Sequence, residues 1–100
     1  MIPLPLNFRE DGFDFSIVKR NRNFAILKKS KSGKNIFYEV VQIQHRPEET
    51  IHWKVYPARE VMPRPEQWGT AGWSCHDRKR AELKFEELTR KGRFSHEGIA

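Results

Sequence analysis

Cys75, four histidines and thirteen carboxylates are the side chains of this 100-residue chain that could do chemistry, and their spacing argues against most of it. Cys75 is followed directly by His76. An imidazole beside a thiol can make a nucleophile, but neighbours on an extended segment point to opposite sides, so these two cannot pair with each other. His45 and His52 stand seven apart across a turn, where a hairpin could bring them face to face. Two ligands do not make a structural zinc site. Carboxylates come together as Glu48 with Glu49 in a turn and Glu86 with Glu87 on a helix surface, as solvated charges rather than an acid/base pair. The loop "SKSGK" at 30–34 has a Gly-Lys pair, but lacks the first glycine and the following hydroxyl of a phosphate-cradling loop. The expectation is a protein that is not an enzyme, with no catalytic residue, no metal ligands and no cofactor.

The positive charge is more informative. Nineteen Lys and Arg against thirteen Asp and Glu leave a net charge of +6, a balance that favours nucleic acid or another polyanion as partner. Residues 19–34, "KRNRNFAILKKSKSGK", contain Lys19, Arg20, Arg22, Lys28, Lys29, Lys31 and Lys34 and no acid. They are expected to form a cationic edge. Basic side chains around exposed aromatics suit polyanion binding, while lysines on an edge strand also discourage sheet-to-sheet pairing.

A helix further on opens with Arg78, Lys79 and Arg80, at the end where the helix dipole disfavours cations. Asp77 just before them offsets this as an N-cap. The same arrangement offers an anion a docking point. Arg78 and Arg80 therefore join the seven as nucleic-acid-binding residues. The partner expected is nucleic acid, DNA or RNA. The alternative is an acidic protein surface, met by a small accessory or inhibitor module.

These residues must be positioned by a single small domain, with an ordered core over about 7–91 and tails at 1–6 and 92–100. One cysteine allows no internal disulfide and suits a reducing compartment. The N-terminus does not read as a signal peptide, and no apolar run approaches the roughly 20 residues that span a bilayer. The expectation is a cytoplasmic protein with no membrane contact.

Period-2 alternation of Phe13, Phe15 and Ile17 predicts a strand over 13–20, after a turn at 10–12. Further strands are expected at 24–29, 35–45 and 50–56. In the last of these, Ile51, Trp53 and Val55 would face one side, and His52, Lys54 and Tyr56 the other. The turns lie at 21–23, 30–34 and 46–49. Pro57, Pro63 and Pro65 mark a loop with a helical turn at 65–68, and "TAGWSC" adds a short last strand.

The closing helix starts after Asp77 and is expected to stop at Gly92, with Ala81, Phe85 and Leu88 as its apolar stripe. The fold class is α+β: an antiparallel meander sheet of four to five strands with one C-terminal helix packed on one face. The helix is expected to cover Phe13, Phe15, Ile17 and Trp53, with Trp68 and Trp73 beneath it. Tyr38, Val40, His52 and Tyr56 would lie on an open second face.

"WGTAGWS" followed by "RKRAELKFEELTRKG" resembles the end of a WGR domain. That DNA-associated module of poly(ADP-ribose) polymerases and some bacterial proteins has a W-G-x-x-G turn, an A-x3-F helix and a lysine–glycine finish. Trp68, Gly69, Gly72, Ala81 and Phe85 carry the likeness, and Thr70 stands where the motif's arginine falls. As a whole the chain is similar to small α+β proteins of bacteria, phages and mobile elements. That resemblance implies no activity of its own, and raises the alternative of a phage-borne accessory protein or host-defence inhibitor.

Overall fold

In the computed structural model, which describes residues 1–98 with side chains through residue 90, the centre of the molecule is Phe24–Lys31 (β3). Asn7–Glu10 (β1), Phe13–Arg20 (β2), β3, Lys34–Gln42 (β4) and Gly72–Cys75 (β9) form a five-stranded antiparallel sheet in the order β1-β2-β3-β4-β9. Between β4 and β9 the chain leaves the sheet. It forms the short strands Gln44–Arg46 (β5), Glu49–Ile51 (β6), Lys54–Tyr56 (β7) and Arg59–Val61 (β8), then a 3-10 turn at Pro65–Gln67. The helix Arg78–Gly98 (α1) follows β9 and packs on β3, β4 and β9. The sheet is therefore the expected α+β architecture, with one helix on one face. No helix among the described residues is long and apolar enough to cross a membrane.

The local causes are short-range. β1 turns into β2 through Asp11 and Gly12, at φ 52° and 80°, and β3 into β4 through Ser32 and Gly33, at 53° and 73°. Two successive positive φ values match the twist of tight hairpins and favour glycine at the second position. At the β2–β3 turn, Asn21 Oδ1 accepts hydrogen bonds from the N–H groups of Asn23 and Phe24 at 2.9 and 2.8 Å, so the side chain replaces a backbone acceptor.

Each face has its own core. Ile26 and Val40 meet Ala81 and Phe85 of the helix, with Val18, Phe24, Tyr38 and Leu88 at the margin. Phe15, Ala25, Leu27, Val41 and Ile43 form the other core, against which Phe8, Phe13, Ile17, Met62 and Trp68 pack. Phe8 stacks on Phe15 with ring centroids 5.1 Å apart. A bulge between Ile17 and Lys19 shifts the register, so Ile17 and its neighbour Val18 belong to different cores.

Several expectations are corrected by this arrangement. Phe13, Phe15 and Ile17 lie opposite the helix, not beneath it. Tyr38 and Val40, expected on the open face, are on the helix side. The second face is not open: residues of the proline-rich segment cover it, Trp68 among them. Only Trp73 of the two glycine-flanked tryptophans lies against the helix, where Lys84 Nζ stands 5.0 Å from its ring centre. Gly72 is needed for a different reason than a turn, since a Cβ there would come within 2.7 Å of the Trp68 ring.

The segment 50–56 is not one strand. It is a hairpin whose two turn residues are His52 and Trp53, both at positive φ. This removes Trp53, His52 and Tyr56 from the main sheet. The helix runs past Gly92 to Gly98; an interior glycine costs about 1 kcal/mol but does not compel a stop. The last two residues of the expected tail 92–100 lie outside those described.

Residues 1–6, read as a tail, are tied down. Leu4 is buried, Ile2 bridges to Arg59, and the Leu4 N–H donates to Glu60 Oε1 at 2.8 Å. Glu60 also accepts from Arg20 through Nη1 at 2.8 Å and Nη2 at 3.1 Å. The Arg20 hydrogen bonds, which outweigh the opposing effect of burial and are aided by the Leu4 N–H, hold the Glu60 carboxyl at about 2 instead of 4.5. A depressed carboxylate contributes stability that is fully present above its unfolded value and is lost as the pH falls through its folded value. The stability supplied by this pair is thus lost between 4.5 and about 2. In acid unfolding followed by circular dichroism, Glu60→Gln should be less stable at neutral pH and lose less on acidification over that window. An acid profile identical to that of the wild type would contradict this.

Candidate nucleic-acid interface

Because β3 is central, the basic residues of 19–34 do not form an edge. The strand carries them to its two ends. Lys19, Arg20 and Arg22 lie around the β2–β3 turn, and Lys28, Lys29, Lys31 and Lys34 lead into the β3–β4 turn. Eight strand residues separate the two turns, roughly 25 Å of extended chain. Arg20 belongs to the fold through Glu60. Lys19 Nζ lies 5.2 Å from the centre of the Phe85 ring, on the helix side.

The β3–β4 end gains cations from the helix. β9 runs antiparallel to β4 with Cys75 opposite Tyr38, so the chain leaves β9 heading toward the β3–β4 turn. The helix therefore starts at that end and runs back across the sheet until Thr89 Oγ1 accepts from Asn21 Nδ2 at 3.1 Å. Arg78, Lys79 and Arg80 are thereby brought to the end that carries Lys31 and Lys34. Asp77 caps the helix as expected, its Oδ1 accepting from the Arg80 N–H at 2.8 Å, and its Oδ2 lies 3.9 Å from Arg80 Nε. The opposition between three cations and the helix dipole is thus relieved locally at Arg80.

An open cleft of ≈ 700 Å³ lies here, lined by Phe13, Phe37 and Trp73 together with Lys29, Glu39, His76, Arg80 and Lys84. The register puts Ser74 beside Glu39 and Trp73 beside Val40, on opposite faces. The cleft consequently draws side chains from both sides of the β9 edge. Lys29 Nζ stands 4.3 Å from the Phe13 ring centre and 3.6 Å from Glu39 Oε2. Such a cation is held by a ring face and a carboxylate at once. Trp68 Nε1 donates to Ser74 Oγ at 3.1 Å, and Ser74 Oγ donates to Glu39 Oε2 at 3.5 Å.

Burial pushes the Glu39 carboxyl up, opposed by Lys29 and Ser74. At this end of the sheet Lys31, Lys34, Arg78 and Lys79 make no ion pair with another described residue, and Lys28, also without one, lines a separate hollow with Asn7, Arg9 and Ser16. Lys84 pairs with Glu87 at 3.5 Å. The cations that line the cleft, Lys29, Arg80 and Lys84, thus each have a carboxylate partner, and the uncompensated ones lie on the adjoining turn and helix start.

The structure brings Lys29, Lys31, Lys34, Arg78 and Arg80 to one end of the sheet, sets Lys28 in a separate hollow with Asn7, Arg9 and Ser16, and leaves Lys19, Arg20 and Arg22 around the other end. Sequence reasoning missed Phe37, Trp73 and Lys84 as lining residues. The signal for Lys84 was available, since it follows Arg80 at the four-residue spacing that puts two side chains on one helix face. His45 lies across the β5–β8 pair from Glu60, with Nε2 4.0 Å from its Oε2. His52 is at the far hairpin turn, so the two histidines do not face each other. Among the described residues no three His, Cys, Asp or Glu side chains are grouped to hold a metal. No family model, curated protein or solved structure matches this chain.

Cys75 lines the same cleft. Burial pushes its thiol up, with Asp77 and Glu39 adding to the shift and Lys84 opposing it. That is the reverse of nucleophile activation, which needs a stabilised thiolate. Alkylation of Cys75 by iodoacetamide at about pH 8 should be slower than that of free cysteine; a faster reaction would reveal an activated thiol.

Proposed function

We propose that this protein is a non-catalytic nucleic-acid-binding protein of the cytoplasm, with its interface at the β3–β4 end of the sheet. The observation that carries this reading is that Lys31, Lys34, Arg78 and Lys79, without ion-pair partners among the described residues, lie at the same end of the sheet as a cleft lined by Phe13, Phe37 and Trp73 together with Lys29, Arg80 and Lys84. Unpaired cations neutralise phosphates and release their counterions. Ring faces take bases by stacking, irrespective of sequence. Arg20 is excluded from the interface, because withdrawing it would leave Glu60 without its strongest partner. The likeness of 68–92 to the end of a WGR domain points the same way, toward a DNA-associated role.

Fluorescence anisotropy with a labelled single-stranded 15-mer tests the reading. Affinity should fall steeply between about 50 and 200 mM salt. The double substitution Lys34→Glu, Arg78→Glu should weaken binding by about tenfold or more and flatten the salt slope by roughly 0.7 for each phosphate that is no longer neutralised. Arg22→Glu, at the opposite end of β3, should change neither. Wild-type protein that binds no oligonucleotide at about 50 mM salt would overturn the function, and equal losses from both sets of substitutions would overturn the location.

A further inference from the structure

Residues 44–61 form one projecting arm. β5 pairs with β8 from Gln44 opposite Val61 to Arg46 opposite Arg59, and β6 pairs with β7 from Glu49 opposite Tyr56 to Ile51 opposite Lys54. The two short ladders are in a single register, so they are one two-stranded ribbon. Pro47 and Pro57, which have no N–H to donate, interrupt it. β6 and β7 pack substantially only on each other, an arrangement that is marginal in water without a partner.

The tip is unusual in three respects. His52 and Trp53 occupy a two-residue turn at φ 49° and 67°, a conformation that suits Asn-Gly and disfavours bulky side chains. Strain of this kind accumulates at sites of function. Trp53 is 98% exposed, in contrast to the half-buried Trp68 and Trp73. Its sequence neighbours are His52 and Lys54; of the acids of the arm, Glu60 sits at the base against Arg20, and Glu49 lies in β6 opposite Tyr56. A nearly fully exposed aromatic ring is thus held at the tip of a protein of net charge +6, with the Lys54 ammonium 5.5 Å from the centre of the Tyr56 ring behind it.

We propose that Trp53 stacks on an unpaired nucleobase of a single strand whose phosphates also engage the cationic end, so that the arm is a second, independent contact. This rests on the nucleic-acid reading above. The protein's net charge of +6 favours a polyanion. A flat indole selects a base whose face is free, which a base inside a duplex does not offer. The contact should be indifferent to base identity, because every base has a ring face.

The test compares wild type, Trp53→Ala, Trp53→Phe and the double substitution Lys34→Glu, Arg78→Glu on a labelled deoxythymidine 15-mer and on a duplex of equal length. Trp53 is exposed, so its removal leaves the fold intact. Trp53→Ala should weaken single-strand binding about 5- to 150-fold while leaving the salt slope and duplex binding unchanged, and Trp53→Phe should recover most of the loss. If Trp53→Ala binds the single strand like wild type while the charge substitutions weaken it, the arm inference fails and the nucleic-acid reading stands. Equal losses on single strand and duplex would replace stacking by insertion into a duplex and overturn the inference. If wild type binds neither oligonucleotide at about 50 mM salt, the reading and the inference fall together.

Discussion

β3 is buried on both sides. Ala25, Ile26 and Leu27 are consecutive and each is 0% exposed, which in a strand means that both faces of the sheet must be covered at this point. A single helix can cover one. Met62 and Trp68, from the chain between β8 and β9, pack on the other. The remainder of the architecture follows from this double demand: the basic residues flanking the apolar triplet cannot stay in the middle, so they are displaced to the two ends of the strand.

What happens at each end then differs. At the β2–β3 end, Arg20 is used by the fold, joined to Glu60 in a pair that Leu4 also contacts through its backbone. One carboxylate therefore ties together the sheet, the N-terminal segment and β8. Because β8 is also the base of the projecting ribbon, the same pair anchors the arm that presents Trp53. At the β3–β4 end the helix adds its own cations and few acids, Asp77 being engaged in capping Arg80. The surplus charge, on Lys31, Lys34, Arg78 and Lys79, is left at the end of the sheet where Phe13, Phe37 and Trp73 line the cleft.

Much of the sheet was legible in the sequence. Phe13, Phe15 and Ile17 alternate cleanly, "FAIL" and "FYEVV" are apolar and β-branched, and Asn21, Gly12 and Gly33 mark their turns by known chemistry. The helix start was legible through Asp77. Strand order was not, because alternation says which residues share a face and nothing about which strand lies in the middle. This is why a central strand read as an edge and why the helix was assigned to the wrong face. The bulge at Val18 and the residues that wrap the second face are products of tertiary packing, with no local signature.

The arm was missed for a different reason. His52 and Trp53 carry none of the usual turn preferences, and Ile51, Trp53 and Val55 alternate as a buried strand would. The cationic stretch 19–34 was visible as composition, but its division into a structural end and a free end depends on Glu60, which lies 40 residues beyond Arg20. The most direct measurement is a two-dimensional amide NMR titration of the 15N-labelled protein with a single-stranded 15-mer. Changes concentrated in 28–37, 76–84 and 52–54, with 19–24 unmoved, are predicted. Changes centred on 19–24, spread evenly over the sheet, or absent would contradict the claim that uncompensated charge at one end of β3 makes the interface.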